Sequence, residues 1–269
     1  MSKQYRVGCT GLDEYGRGLC KFNNKIFAVP YFLKGEKGNI ELVHGKEVSA
    51  RLTLVDQASP DRVEPGCDVY EKCGGCSLMH MKYEAQLRFK QDMVEGLFPE
   101  EKKAGLIENI ISMENPFFYR HKIYATIQRG QKGEIKTGIY EDGSHRVVTP
   151  KECRIQNREA NKIIRSIAKI MKQTNTPPYN EDRKSGVLRH AYIRVAKGTG
   201  EIMVVLVTGS LDFKARKIFV SELTKAFKGI STIIWNINTA KTGMVLGKSN
   251  DVLFGKGYIE EELCGKKFI

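Results

Sequence analysis

Residues 1–56 alternate short apolar-rich runs with turn chemistry, and the runs at 4–7, 18–22, 25–29, 40–43 and 47–55 read as five short strands. The punctuation is Asp13-Glu-Tyr-Gly16, Asn23-Asn24 and Lys34-Gly-Glu-Lys-Gly38. Five such strands predict a small barrel, because closing a sheet removes its unpaired edges. The polar, proline-bounded stretch 59–66 then predicts a linker. A helical period follows, with Tyr83, Leu87, Val94 and Leu97 on one stripe and Pro99 closing it.

After an acidic stretch at 100–115, the pattern returns to strands at 119–128, 134–140 and 145–149, joined by glycine-containing turns at 129–133 and 141–144. Asn157 is placed to cap a helix whose stripe is Ile163, Ile164, Ile167, Ala168, Ile170 and Met171, a core-packing face. Residues 187–196, the turn Lys197-Gly-Thr-Gly200 and the run 202–208 predict a hairpin. A helix over 213–227 and strands at 233–237, 244–246 and 252–254 complete the pattern.

With 41% hydrophobic and 28% charged residues the composition is that of an ordered globular chain, and 269 residues are enough for two domains. Apolar runs such as 202–207 are too short to cross a bilayer, and the N-terminal stretch Met-Ser-Lys-Gln-Tyr-Arg-Val-Gly lacks the apolar core of a secretory signal. No membrane association and a cytoplasmic location are therefore expected. The net charge of +13 is unevenly spread: +3 over 1–60, −4 over 61–116, +11 over 117–200 and +3 over 201–269. Positive charge concentrated in one segment attracts a polyanion and gains from counterion release, which points to nucleic acid. A lysine-rich solvated surface is the plain alternative.

Of seven cysteines, three fall within ten residues in Cys67-Asp-Val-Tyr-Glu-Lys-Cys73-Gly-Gly-Cys76. A reducing compartment disfavours a disulfide scaffold, and a Cys-x2-Cys pair spaced by two glycines can grip one metal centre without side-chain crowding. The fourth ligand must come from elsewhere, and Cys153 sits in a short polar loop. One thiol, then two, then a distant one suits an iron–sulfur cluster better than the paired spacing of structural zinc; zinc completed by His80 remains the second option. Cys9, Cys20 and Cys264 read as structural.

These residues also carry a family resemblance. Gly11-x4-Gly16-x-Gly18 with Phe27-Ala-Val-Pro30, then Ser59-Pro-Asp-Arg-Val-x-Pro65, then Cys67-x5-Cys73-Gly-Gly-Cys76, resembles the iron–sulfur-containing RNA uracil-5-methyltransferases, particularly those acting on 23S ribosomal RNA. Tyr119-Arg-His-Lys122, Gly138-Ile-Tyr, His145-x-Val-Val, Cys153, Leu188-Arg-His190 and Gly200-Glu-Ile-Met-Val-Val-Leu206 extend it along the chain. The resemblance implies an RNA-binding, OB-like TRAM barrel and a central domain with a [4Fe-4S] cluster on Cys67, Cys73, Cys76 and Cys153. It also implies a following Rossmann-like domain that binds S-adenosylmethionine. There a cysteine attacks C6 of a flipped uracil, C5 takes the methyl group and a carboxylate removes the C5 proton. His121 stands where the family has Asn.

The sequence shows no strand, glycine-rich turn and helix in succession and no strand-end Asp-Pro-Pro-type loop, and its last residues, 264–269, read as the end of a cut chain. The expected fold is therefore α+β: an OB-like barrel, then a mixed α/β central domain with an iron–sulfur site, and no Rossmann-like methyltransferase domain. The expected divisions are 1–58 for the barrel, 59–83 for the linker and cluster loop, 84–116 for a helical segment that packs on the missing catalytic domain, and 117–269 for the basic central domain. The expected function is the RNA-recognition and iron–sulfur portion of a 23S rRNA methyltransferase, inactive alone, with S-adenosylmethionine bound only by a full-length parent and no catalytic residue in this chain. A stand-alone metal-stabilised RNA-binding protein, a tRNA uracil-5-methyltransferase portion and an iron–sulfur electron carrier are the alternatives. RNA contacts are expected from Arg120 and Lys122 on one side of a strand, extended by Arg129, Lys132 and Lys136, with Phe117, Phe118, Tyr119 and Tyr124 as stacking aromatics.

Overall fold

The computed structural model describes residues 3–45, 47–240 and 243–269; the first two residues of the N-terminal stretch read above lie outside them. The chain divides into two compact units, one of residues 1–66 with 75–114, the other of 67–74 with 115–269.

The first unit holds β1 (Gln4–Leu12), β2 (Gly18–Phe22), β3 (Lys25–Val29), β4 (Lys37–His44) and β5 (Val48–Gln57), then α1 (Tyr83–Leu97) and α2 (Pro99–Lys103). The strands form an antiparallel sheet in the order β3-β2-β1-β4-β5, and its outer strands β3 and β5 touch, so the sheet curls on itself. Its core is Val7, Cys9, Cys20, Val29, Phe32, Ile40 and Ala50, with Cys9 opposite Cys20 in register. Two glycines of the sequence motif have direct reasons. Gly16 takes φ +77°, and a Cβ on Gly18 would sit 2.5 Å from the carbonyl oxygen of Phe32.

The fully buried carboxylate of Glu36 joins the sheet to the linker. It accepts from the Leu33 and Ser59 amides at 2.8 and 3.0 Å and from Arg62 at 2.6 and 2.7 Å, while Arg62 also donates to the Tyr31 carbonyl. Burial pushes the Glu36 carboxyl up, and the bonds from Arg62, Leu33 and Ser59 together outweigh it, holding it below the usual range. Pro99 opens α2 directly after α1 closes at Phe98, as proline's missing N–H allows at a first helical position. Of the expected stripe on α1, Leu87 is half-buried, whereas Val94 and Leu97 are exposed.

The second unit holds β6 (Lys122–Arg129), β7 (Ile135–Tyr140), β8 (Val147–Val148), α3 (Arg158–Gln173), β9 (Leu188–Val195), β10 (Ile202–Thr208), α4 (Arg216–Ala226), β11 (Ile230–Ile237) and β12 (Ser249–Gly255). The small hairpin β13 (Glu261–Leu263) and β14 (Lys266–Phe268) follows. Seven strands make one sheet in the order β12-β11-β10-β9-β6-β7-β8. Asn157 caps α3 as its position predicts, its side chain accepting from the amides of Glu159 and Ala160. The α3 stripe, with Phe213, Phe219 and Leu223, packs on Ile123, Ala125, Ile127, Ala191, Ile193, Val204 and Leu206 of the sheet. The segment at 244–246 expected as a strand is irregular, because Asn238 and Asn236 take its backbone: Asn238 bonds the Met244 and Val245 carbonyls, and Asn236 bonds the Gly247 amide and carbonyl.

One expectation about the fold is corrected. β10 and β11 run parallel as neighbours with α4 between them, so the sheet is mixed and contains a strand–helix–strand crossover of the kind from which Rossmann-like sheets are built. The absence of a Rossmann-like methyltransferase domain was expected because its hallmark was sought in a glycine-rich turn. The turn that leads from β10 into α4 has only Gly209.

Candidate nucleic-acid interface

In a strand, alternate side chains face opposite ways. Ile123, Ala125 and Ile127 of β6 enter the core under α3 and α4, which turns Lys122, Tyr124 and Thr126 to the other face. β9 runs antiparallel beside it, with Arg194 opposite Lys122, Tyr192 opposite Tyr124 and His190 opposite Thr126. Lys122, Tyr124 and Arg194 are exposed and Tyr192 is half-buried. The face opposite the helices therefore carries two cations and two tyrosines as adjacent cross-strand pairs. Among the described residues neither Lys122 nor Arg194 has a carboxylate within 4.0 Å. Such a patch offers charge to phosphates and rings to bases.

The other expected contacts distribute differently. Arg120 is exposed, its amide bonded to the Ile155 carbonyl. Arg129 and Lys132 are exposed, and Lys136 is half-buried with its ammonium 3.8 Å from Glu134. Lys122 and Arg129 stand at opposite ends of β6, roughly 23 Å apart at strand rise, so these cations do not form one cluster. Phe117 and Phe118 are engaged within the unit: Arg154 lies 4.9 Å and 5.8 Å from their ring centres, and Arg158 lies 4.2 Å from that of Phe118. His121 is half-buried and its Nδ1 has no hydrogen-bond partner. Tyr192 and Arg194 were missed because only strand register places them beside Lys122 and Tyr124. The quoted Leu188-Arg-His190 motif signals the strand but not its neighbour.

The cysteine loop belongs partly to the same unit. The Tyr70 amide bonds the Cys67 carbonyl, Cys73 bridges to Glu141, and the Asp142 amide donates to the Lys72 carbonyl at 3.0 Å. Asp68 accepts from the Lys151 amide at 3.1 Å, two residues before Cys153. Burial pushes the Cys67 thiol up, and the neighbouring Cys153 and Asp68 push it further, against the Val69 amide and Arg154. The Cys153 thiol is thus near enough to act electrostatically on Cys67, and Cys73 lies in the same unit, whereas Cys76 falls in the first unit. Among the described residues no three His, Cys, Asp or Glu side chains are grouped tightly enough to hold a metal ion. His80, the alternative zinc ligand, is buried beside Tyr31 and Arg62, and burial, then the Arg62 charge, holds it neutral with a pKa of about 4.

The turn Lys197-Gly-Thr-Gly200 joins β9 to β10, and the Lys197 and Gly198 amides both donate to Glu261 at 2.7 Å. Among the described residues no helix is long and apolar enough to cross a membrane.

No protein-family profile matches the chain. It is 36% identical over 98% of its length to a protein of Clostridium tetani named an uncharacterized RNA methyltransferase, and 36% identical over 99% to one of the same name from Clostridium acetobutylicum. It spans 58% and 59% of the length of these relatives. Among solved structures, the tRNA (uracil-54, C5)-methyltransferase of Pyrococcus abyssi, in complex with S-adenosyl-L-homocysteine, matches with a TM-score of 0.72 at 22% identity over 97% of this chain and 58% of that one. The expectation of an inactive recognition portion, defined by what it lacks, is corrected by these matches. The similarity runs to methyltransferases along nearly the entire chain, and the absence of a methyl-donor site has no support. Over 98% of its length, this chain is similar to a protein named an RNA methyltransferase.

Proposed function

We propose that this chain serves the S-adenosylmethionine-dependent methylation of a uracil C5 in RNA, with 23S ribosomal RNA as the substrate. The observation that carries the reading is the paired Lys122–Arg194 and Tyr124–Tyr192 patch on a segment that holds +11 of the chain's net charge of +13. An open sheet face with unpaired cations and tyrosines suits unstacked, single-stranded RNA better than a duplex, whose bases are shielded. The relatives' names support RNA as the substrate class, and the motifs quoted above support uracil and ribosomal RNA. Transfer RNA is the second reading, favoured by the substrate in the name of the Pyrococcus abyssi enzyme.

The reading includes a [4Fe-4S] cluster on Cys67, Cys73, Cys76 and Cys153, supported by the close spacing of the first three thiols and, for Cys153, by the family resemblance. Such a group would tie the cysteine loop to the basic sheet as a structural staple. Cys153→Ser is expected to abolish bound iron and sulfide in protein purified without oxygen, and to weaken RNA binding. Unchanged iron content would remove Cys153 from the ligand set.

The functional test is methyl transfer from labelled S-adenosylmethionine to 23S rRNA and tRNA transcripts carrying tritium at uracil C5. Release of that tritium with methyl incorporation into rRNA is expected. Incorporation into tRNA alone would establish the second reading, and failure to bind either RNA would overturn both.

A further inference from the structure

The face that carries the tyrosine patch continues, toward the β6–β7 end, into a cavity of about 470 Å³. That lies within the roughly 300–1,000 Å³ that small ligands occupy in proteins. Its floor includes Thr126 and His190, opposite one another in β6 and β9 and both buried. His190 is only 6% exposed, yet its Nδ1 has no hydrogen-bond partner. A buried polar nitrogen left unpaired costs stability unless a ligand or water meets it.

The walls are aromatic and fixed. Tyr140 stands edge-on to His145 at 5.5 Å, and Gln128 pins that side by bonding the His145 carbonyl and the Val147 amide. Tyr179 forms the other wall, beneath the buried Arg189 guanidinium 5.8 Å from its ring centre. Arg189 is spent on structure, bonding Glu181 and the carbonyls of Asn238 and Ala240, and so neutralises one of the two acids there. Gly186 at φ +103°, where a Cβ would lie 2.1 Å from the Pro178 carbonyl oxygen, closes the loop behind Tyr179. At the rim stand Arg129 and Arg183, neither with a carboxylate within 4.0 Å among the described residues, and the exposed Asp182.

We propose that this cavity receives a single unstacked nucleotide of the bound RNA, its base between Tyr140 and Tyr179 over His190 and Thr126, its phosphate at Arg129 and Arg183. Ring faces take a base of any identity, while the imidazole and hydroxyl beneath can pair with its polar edge. Burial, and then the Arg189 charge, holds His190 neutral with a pKa of about 4, which leaves one ring nitrogen an acceptor and the other a donor near neutrality. The proposal rests on the RNA reading above and deepens it.

The test uses fluorescence anisotropy with a single-stranded RNA, the same RNA carrying 2-aminopurine at successive positions, and uridine monophosphate as a free nucleotide. Three variants are compared with the wild type: the near-isosteric Thr126→Val, Tyr179→Leu, and the rim variant Arg183→Gln, which lies on an exposed loop and leaves the fold intact. Roughly tenfold weaker RNA binding by Tyr179→Leu is expected, with smaller losses in the other two. One 2-aminopurine position is expected to change emission on binding to the wild type but not to Tyr179→Leu. Wild-type RNA affinity in all three variants would overturn the proposal while leaving the RNA reading intact. Uridine monophosphate binding that the variants lose, with RNA affinity unchanged, would assign the cavity to a free nucleotide and overturn it too. A wild type that binds no RNA would sink the underlying reading itself.

Discussion

At the scale of single residues, two buried ionisable groups govern how the chain responds to substitution and to pH. Glu36 is a carboxylate with no exposed side-chain surface whose charge is met by Arg62 and two amides. Breaking one side of such a pair leaves an uncompensated buried charge, so Arg62→Leu is expected to destabilise the first unit by about 3–5 kcal/mol. Calorimetric melting would show this, and a loss under 1 kcal/mol would mean that the two amides alone hold the charge. His190 acts in the opposite sense. Its pKa of about 4 lies below the roughly 6.5 of an unfolded histidine, so on acidification the unfolded chain takes the proton first. The contribution to stability is complete above about pH 6.5 and is lost as pH falls toward 4, the loss reaching about 2 kcal/mol by pH 5. Trp235, the single tryptophan, lies in the core of the same unit and reports its unfolding. Urea midpoints followed by its fluorescence should fall more between pH 7 and pH 5 in the wild type than in His190→Gln; equal falls would refute the assignment.

At the scale of elements, the sequence displayed what is local and concealed what depends on neighbours. The α3 cap is local: Asn157 precedes the stripe and bonds two amides within three residues. Asn157→Ala should cost about 1 kcal/mol in Trp235-monitored urea unfolding, and no change would mean that packing alone sets the helix start. The β9–β10 hairpin was legible for the same reason, since a four-residue turn separates two apolar runs. The parallel β10–β11 pair was not, because nothing in either run specifies which strand it joins or in which direction. The interface followed suit. Lys122 and Tyr124 stood out in sequence as a basic–aromatic run, but Tyr192 and Arg194 become part of it only through register, and Tyr179 reaches the cavity from a loop more than fifty residues beyond Tyr124. The cysteines divide likewise: close spacing marks Cys67, Cys73 and Cys76, and a short polar loop marks Cys153, while the Asp68–Lys151 bond between their segments follows from no local pattern.

At the scale of the molecule, the charge distribution separates a directed interface from a generally sticky surface. Residues 117–200 carry +11 of the total +13, and residues 61–116 carry −4, so a polyanion drawn by net charge alone would meet an uneven field. If the sheet face is where phosphates sit, only its cations release counterions on binding. Each phosphate contact on a single strand contributes about 0.7 to the slope of log K against log salt. Lys122→Ala with Arg194→Ala should therefore reduce the slope by roughly 1.4 and lower affinity at every salt concentration. Lys102→Ala removes the same type of charge from the acidic segment, where the ammonium is ion-paired 2.6 Å from Glu95, and should leave the slope unchanged. Equal slopes in both variants would mean that RNA is held by diffuse attraction and that the cross-strand pairs have no special part. A slope lost only in the sheet variant would fix the path of the strand across Lys122 and Arg194, past Tyr124 and Tyr192, toward the cavity over His190.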